Sequence, residues 1–296
     1  MCVTCGCGEN AETTFSAESG EHVHADGTRH THARGLIFAP GHTHSHSHDH
    51  VHAHLDLQGT EPSRHEHDLS VPGRDRRTVE LEAQILGKNQ LIAERNRSWL
   101  SDRGVLALNL LSSPGAGKTT LLERTLRDLK SQVRVAVIEG DQETSNDAER
   151  IRATGVRAVQ INTGTGCHLE ADMLERALAL LEPERNSLLL IENVGNLVCP
   201  ALFDLGERAK VVIFSVTEGE DKPLKYPHMF SAATLVLLSK TDLLPHLRFD
   251  TRRAIDNALT VNPRLKVVEV SAYSGEGMSQ WYDWLKAELA LYVAIA

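Results

Sequence analysis

The segment that most restricts what this chain can fold into is Ser112-Ser113-Pro114-Gly115-Ala116-Gly117-Lys118-Thr119, set between an apolar run at 105–111 and a helical pattern at 118–130. A strand, a glycine-rich turn ending in Lys-Thr and then a helix form a P-loop, here with Ser112 where the first glycine usually stands. The loop needs small residues at Gly115, Ala116 and Gly117, because its amides turn inward around phosphate oxygens. Lys118 is expected to reach the β- and γ-phosphates and Thr119 to hold magnesium. Thr120, next on the helix, completes the nucleotide-binding set. The helix that begins here directs its positive end at the phosphates. A plain strand-to-helix turn is the bland alternative, and Lys-Thr at this place argues against it.

The remainder of the chain agrees with that beginning. Short apolar runs at 133–138, 158–161, 188–191, 211–216, 235–238 and 267–270 alternate with helical stretches at 169–181, 251–259 and 277–289. Several runs are continuous rather than alternating, as in strands covered on both faces. The expected fold is α/β: a P-loop NTPase domain over 105–296, with a mostly parallel sheet flanked by helices. Before it, at 77–104, Leu81, Ile85, Ile92 and Trp99 recur at helical spacing and predict one amphipathic helix, read as packing on the domain.

Acidic residues that manage a metal should follow the P-loop. The second strand ends in Glu139-Gly140-Asp141, with Asp147 beyond, and Glu192-Asn193-Val194-Gly195 resembles a metal-binding strand end and switch, with Glu192 where Asp is commoner. Asp141 and Asp147 are expected to join Thr119 at magnesium, while Glu192 and Asp141 serve phosphoryl transfer with Lys118 and Thr119. An acid at a strand end can also be a helix cap or a solvated edge. Ser239-Lys240-Thr241-Asp242 follows another apolar run and resembles the guanine-reading Asn-Lys-x-Asp motif with Ser for Asn. Asp242 can accept both hydrogens of the guanine N1 and N2 edge, which adenine does not offer, and the Lys240 stem can cover the ring. Ser271 and Ala272, after the next run, resemble the element that meets the guanine oxygen. GTP is therefore expected over ATP.

Two metal-binding patterns precede the domain. Cys2, Cys5 and Cys7 place three thiols in six residues, too close for a disulfide framework, and the odd total of five cysteines also argues against full pairing. Thiolates are soft ligands that suit nickel, zinc or copper(I). Thirteen of sixteen histidines lie between His22 and His67, so the bias is local; seven of them, His42, His44, His46, His48, His50, His52 and His54, alternate with other residues. Equivalent imidazoles imply capacity rather than a defined geometry, hence nickel storage. Residues 1–76 hold few large apolar side chains and are expected to be a disordered metal-binding arm. Within the domain, Cys167-His168 and Cys199 stand in loops. If those loops meet, metal and nucleotide are coupled, and three side chains leave a shell that a dimer would complete.

A net charge of −9 excludes a general nucleic-acid footprint. Neither a secretory signal nor an apolar stretch of membrane-spanning length is visible, so the expectation is a cytoplasmic protein that contacts no membrane.

Together, CVTCGC, the histidine tract, SSPGAGKTT, IEGDQ, NTGTGCH, ENVGNLVCP, SVTEGEDKPLKYP and SKTD resemble the hydrogenase nickel-incorporation GTPase family, HypB, over nearly the whole chain. The resemblance implies GTP hydrolysis that drives nickel delivery to the large subunit of nickel–iron hydrogenase, alongside an accessory metallochaperone. It also implies GTP-linked homodimerisation, one metal site at Cys2, Cys5 and Cys7, and another at Cys167, His168 and Cys199. The alternatives are a urease-type nickel-insertion GTPase, which the triple-cysteine start disfavours, a nickel store with a regulatory nucleotide site, and a P-loop ATPase or kinase, against which Asp242 argues.

Overall fold

In a computed structural model of the chain, the structure describes residues 13–16, 21–23, 29–31, 76–142 and 146–296. In chain order the elements are β1 (Thr14–Ser16), β2 (Glu21–Val23), β3 (Arg29–Thr31) and α1 (Arg76–Ser101), followed by β4 (Leu106–Ser112), α2 (Lys118–Leu129), β5 (Val135–Asp141), α3 (Asn146–Arg152), β6 (Arg157–Asn162) and α4 (Ala171–Leu181). Next come β7 (Leu188–Glu192), α5 (Cys199–Leu202), β8 (Ala209–Ser215), α6 (Lys222–Lys225), α7 (Pro227–Ala232) and β9 (Leu235–Ser239). A 3-10 turn (Thr241–His246), α8 (Thr251–Val261), β10 (Lys266–Glu269) and α9 (Met278–Ile295) complete the chain.

One sheet runs in the order β10-β9-β8-β4-β7-β5-β6-β1-β2-β3. Strands β4 to β10 pair in parallel, and every residue of β4 is buried. Alternation along β4 serves both faces. Leu106, Leu108 and Leu110 meet α2 and α9 through Leu122, Leu126 and Trp281, and the Trp281 indole donates to Thr125 Oγ1 at 2.9 Å. On the opposite face Ala107, with Leu189 and Ile191 of β7, meets Leu100 of α1 and Leu174 and Leu178 of α4. A third cluster packs Phe230 of α7 and Ala254 of α8 on β8 and β9.

The seven parallel strands and the four longer helices after the P-loop stand where the apolar runs and helical patterns predict them. The shorter α3, α5, α6 and α7 give too few turns to show a period. Three segments within the span expected to be a disordered arm are instead strands: β1 adds antiparallel to the free edge of β6, then β2 and β3 continue the sheet. The reason is local. An open strand edge offers unpaired backbone groups, and Phe15, an uncommon large apolar side chain in that span, is buried against the α4 side of the core. Average composition over 1–76 does not register one such residue.

Helix α1 docks closely. Gly206, at φ +94°, lies so near α1 that a Cβ there would sit 2.5 Å from the Ala93 carbonyl oxygen, so glycine is required on two counts. Arg97 pairs with Asp204 through both carboxylate oxygens, at 2.6 and 2.8 Å. No described helix is long and apolar enough to cross a membrane.

Candidate functional site

The parallel register brings the carboxyl ends of β4, β5 and β7 side by side, with Glu192 opposite Leu110 on one side and Glu139 on the other. Open α/β sheets bind ligands at this edge. A cavity of about 500 Å³ occupies it, lined by residues 112–120, the strand ends of β5 and β7, Asp147, Arg150, Gly195 and Lys240. Gly115 (φ +74°) and Gly117 (φ +91°) adopt left-handed conformations, which let the loop turn its amides inward. Helix α2 starts at Lys118 without a side-chain cap at Gly117, so its first N–H groups are open to an anion. Ser112 ends β4 with its hydroxyl donated to the Ser113 carbonyl at 2.8 Å. It does not have the positive φ that would demand glycine.

Lys118 Nζ and Thr119 Oγ1 both contact Glu192 Oε1, each at 2.6 Å. Thr119 Oγ1 also reaches Asp147 Oδ2 at 3.0 Å. Hydroxyl and carboxylate oxygens converging on one point suit magnesium, a hard cation that prefers oxygen ligands. Asp141 lines the same cavity. Arg150 holds the other oxygen of Asp147 at 3.3 Å and contacts Thr120 Oγ1 at 3.2 Å. Glu139, beside Glu192, is 2% exposed. Burial above all, then the charges of Glu192 and Asp141, pushes its carboxyl up to about 9. The reading of the sequence passed over Glu139, although its place two residues before Asp141 on one strand puts both on the same face.

At the turn after β9, Lys240 adopts a left-handed φ of +63°, a strained conformation for a non-glycine residue and common at functional loops. Its ammonium donates to the Gly115 carbonyl at 2.6 Å. Ser239, at the place of the expected Asn, donates to the Ala116 carbonyl at 2.8 Å, so the departure from Asn-Lys-x-Asp ties this loop to the P-loop. Ser271 Oγ donates to Asp242 Oδ1 at 2.6 Å, and Arg124 donates to the Ala272 carbonyl at 3.3 Å. Asp242, Ser271 and Ala272 thus form one group beside the cavity rather than part of its lining.

Lys222 contacts Glu218 at 2.6 Å and the P-loop hydroxyl of Ser113 at 2.9 Å, and Lys225 pairs with Asp221 on the surface.

Cys167, His168 and Cys199 come together: their ligand atoms all lie within 4.8 Å of one another. Cys167 Sγ is 3.6 Å from His168 Nδ1, both cysteines are buried thiols outside any disulfide among the described residues, and the His168 ring lies on Phe203 with centroids 4.0 Å apart. Two thiols and an imidazole suit a borderline or soft cation such as nickel or zinc. His168 Nε2 faces Glu170 Oε1 at 3.6 Å, too long for a hydrogen bond. Buried asparagines of α1 support this cluster. Asn96 donates to the carbonyls of Ala171 (2.8 Å) and Leu205 (3.0 Å). Asn89 accepts from the Ala171 amide and donates to the Asp204 carbonyl.

Residues 106–269 match the CobW/HypB/UreG nucleotide-binding domain. Over 291 residues the chain is 53% identical to the hydrogenase maturation factor HypB of Rhizobium leguminosarum bv. viciae, covering 98% of this chain and 97% of that one. The chain belongs to the HypB family of hydrogenase maturation factors. HypB of Escherichia coli K12 is 51% identical over 295 residues, covering 97% of this chain and 99% of the relative. Among solved structures, HypB from Archaeoglobus fulgidus is 40% identical with a TM-score of 0.64, covering 69% of this chain and all of that one. HypB from Helicobacter pylori in complex with nickel is 39% identical with a TM-score of 0.65, covering 69% and 95%. The HypB-like parts named from sequence at Cys2, Cys5, Cys7 and His42 to His54 lie outside the described residues.

Proposed function

We propose that the chain is a GTP-hydrolysing nickel metallochaperone that acts in the cytoplasm during maturation of nickel–iron hydrogenase. Its family membership supports the process, and the nickel complex of the Helicobacter pylori relative supports the metal. The observation that carries the reading is the Cys167–His168–Cys199 cluster, whose Cys199 starts α5 seven residues after Glu192.

In this reading Lys118 and the α2 amides receive the phosphates, and Thr119, Asp141 and Asp147 hold magnesium. Lys118 offsets charge on the transferring phosphoryl group, and magnesium held by Thr119, Asp141 and Asp147 would supply further charge there. Glu192 now neutralises Lys118 and touches Thr119. When the γ-phosphate takes over Lys118, Glu192 is released to position water. Asp242, Lys240, Ser271 and Ala272 select guanine. Cys167, His168 and Cys199 hold nickel or zinc, and a GTP-linked homodimer completes the shell. Cys2, Cys5 and Cys7 form the tight site of the arm, with the histidine tract as a store. Delivery runs with an accessory metallochaperone to the hydrogenase large subunit.

The test is Lys118→Ala in cells that mature a nickel–iron hydrogenase. Phosphate release from GTP should fall about 10²–10³-fold or more, and hydrogenase activity should be lost at ordinary nickel and return only in part with added nickel. Full hydrogenase activity in the variant would leave a nickel store with a regulatory nucleotide site.

A further inference from the structure

Asn193 lies between the two sites. It is 1% exposed and follows Glu192, whose carboxylate contacts Lys118 and Thr119. Its Oδ1 accepts from the Leu169 amide at 3.2 Å and from the Val194 amide at 2.9 Å. Its Nδ2 donates to Asn109 Oδ1 of β4 at 3.2 Å, and Asn109 in turn donates to Glu207 at 3.2 Å. Leu169 is the residue after His168. Its side chain fills the space over Gly140, where a Cβ would meet Leu169 Cδ2 at 2.7 Å. The segment bearing Cys167 and His168 is therefore fastened to the acidic strand ends by the apolar contact of Leu169 on Gly140, by the bond of its amide to Asn193, and at its outer side by Gln142, whose Nε2 donates to the Gly166 carbonyl at 3.3 Å.

We propose that Asn193 is the positioning residue that converts the nucleotide state into metal-site geometry. The inference rests on the function proposed above and adds the residue through which it is regulated. Backbone 192–195 is the switch. Gly195 lies close enough to the P-loop that a Cβ there would be 3.3 Å from Pro114, so a γ-phosphate in the cavity acts on this segment directly. Release of Glu192 from Lys118 moves the peptide that carries Asn193. A buried amide that loses its acceptor bears a desolvation cost, so Leu169 follows Asn193, and Cys167 and His168 move relative to Cys199. The alternative route runs only along the backbone from Gly195 to Cys199 and leaves Cys167 and His168 fixed.

Reciprocity requires that GTP alters metal affinity by the factor by which metal alters GTP affinity, typically about 5- to 150-fold. The experiment titrates nickel into the full-length chain carrying Cys2→Ser, Cys5→Ser and Cys7→Ser, with GDP and with a non-hydrolysable GTP analogue. The readout is thiolate-to-nickel charge-transfer absorption, to which the histidine tract does not contribute. The parent should show a ratio of affinities in the range above. Asn193→Ala should bring the ratio to within about twofold, with nickel affinity in the GDP state and affinity for each nucleotide changed by less than about threefold. A full ratio in Asn193→Ala would overturn the proposal and leave the coupled reading standing. No ratio in the parent would overturn both. If the variant fails to fold, hydrogen exchange at the Leu169 amide of the parent decides: protection should differ between the nucleotide states, and equal protection overturns the proposal.

Discussion

The phosphate cavity and the cysteine–histidine cluster are neighbours on one sheet edge, yet they are held in different ways. One wall of the cavity is a contiguous loop, 112–120, whose backbone supplies the donors and whose glycines set the turn, and the ends of β5 and β7, Asp147, Arg150, Gly195 and Lys240 close around it. The cluster takes ligands from two separate segments, which are joined by side chains of a third, α1, bonded to their backbones. A contiguous motif carries its geometry with it. An assembled site depends on buried polar residues elsewhere, each of which has to be satisfied. Measured without the other ligand, damage to the first should therefore appear in nucleotide binding alone, and damage to the supports of the second in metal affinity alone.

The largest effect expected is at the base. Ser271 fixes one oxygen of Asp242, and under the proposed function this carboxylate makes a paired contact with the guanine N1 and N2 edge. Each hydrogen bond to a charged group contributes about 1.5–3 kcal/mol. Asp242→Asn should weaken GTP binding by about 100-fold or more and turn the preference to xanthosine triphosphate, with nickel affinity of the Cys167–His168–Cys199 site in the GDP-free protein unchanged. Competition titration with the two nucleotides measures it, and an unaltered preference for GTP would remove guanine from this loop.

The next concerns α1. Asn96→Leu leaves the carbonyls of Ala171 and Leu205 without their donor in the interior, at about 1–3 kcal/mol for each group. Supports behind metal ligands typically affect affinity by about 10–100-fold. Nickel affinity should fall by about 10-fold and the melting temperature by several degrees, while GTP affinity stays within about twofold. Equal losses at both sites would mean that α1 serves the whole domain and that the two sites are not separately supported.

The same contrast explains how much the sequence discloses. The alternation of apolar runs and helical patterns identifies all seven parallel strands, because burial on both faces leaves continuous apolar runs. The P-loop and the Ser239–Asp242 turn are legible because their spacing is itself the geometry. Cys167, His168 and Cys199 can be named from residue type, but their meeting depends on pairing in the sheet, which no local pattern encodes. Asn89 and Asn96 carry no signal at all: each sits in a helical pattern where asparagine is commonplace, and only the bonds to distant backbone distinguish them. Asn193 is legible as part of the switch-like Glu192–Gly195 segment, but its bond to the Leu169 amide is not. Likewise Phe15 is one side chain in a polar span, and its strand exists because β6 offers a free edge.

The smallest expected effect lies at Glu139 and concerns charge kept inside the phosphate cavity. The buried carboxyl has an ordinary value of 4.5 that is pushed up to about 9 by burial first, then by Glu192 and Asp141, with Lys118 opposing. In the unfolded chain Glu139 ionises near 4.5. In the folded, nucleotide- and magnesium-free protein it stays neutral up to about 9. Between those values the folded state binds the extra proton, so this group's contribution to stability falls as pH rises through that window. Glutamine keeps the shape and the neutral state in both forms. Glu139→Gln should therefore be more stable than the parent by about 1–3 kcal/mol at pH 8, with the gain shrinking as pH falls toward 5. The nickel affinity of the Cys167–His168–Cys199 cluster should not follow that pH dependence. Urea unfolding of parent and variant at pH 5.5, 7 and 8 measures it, and a gain that is constant or grows toward low pH would mean that Glu139 is ionised in the fold. The outcome matters for the comparison because a neutral Glu139 leaves Glu192 as the carboxylate facing Lys118, so the arriving phosphate has a single acid to displace.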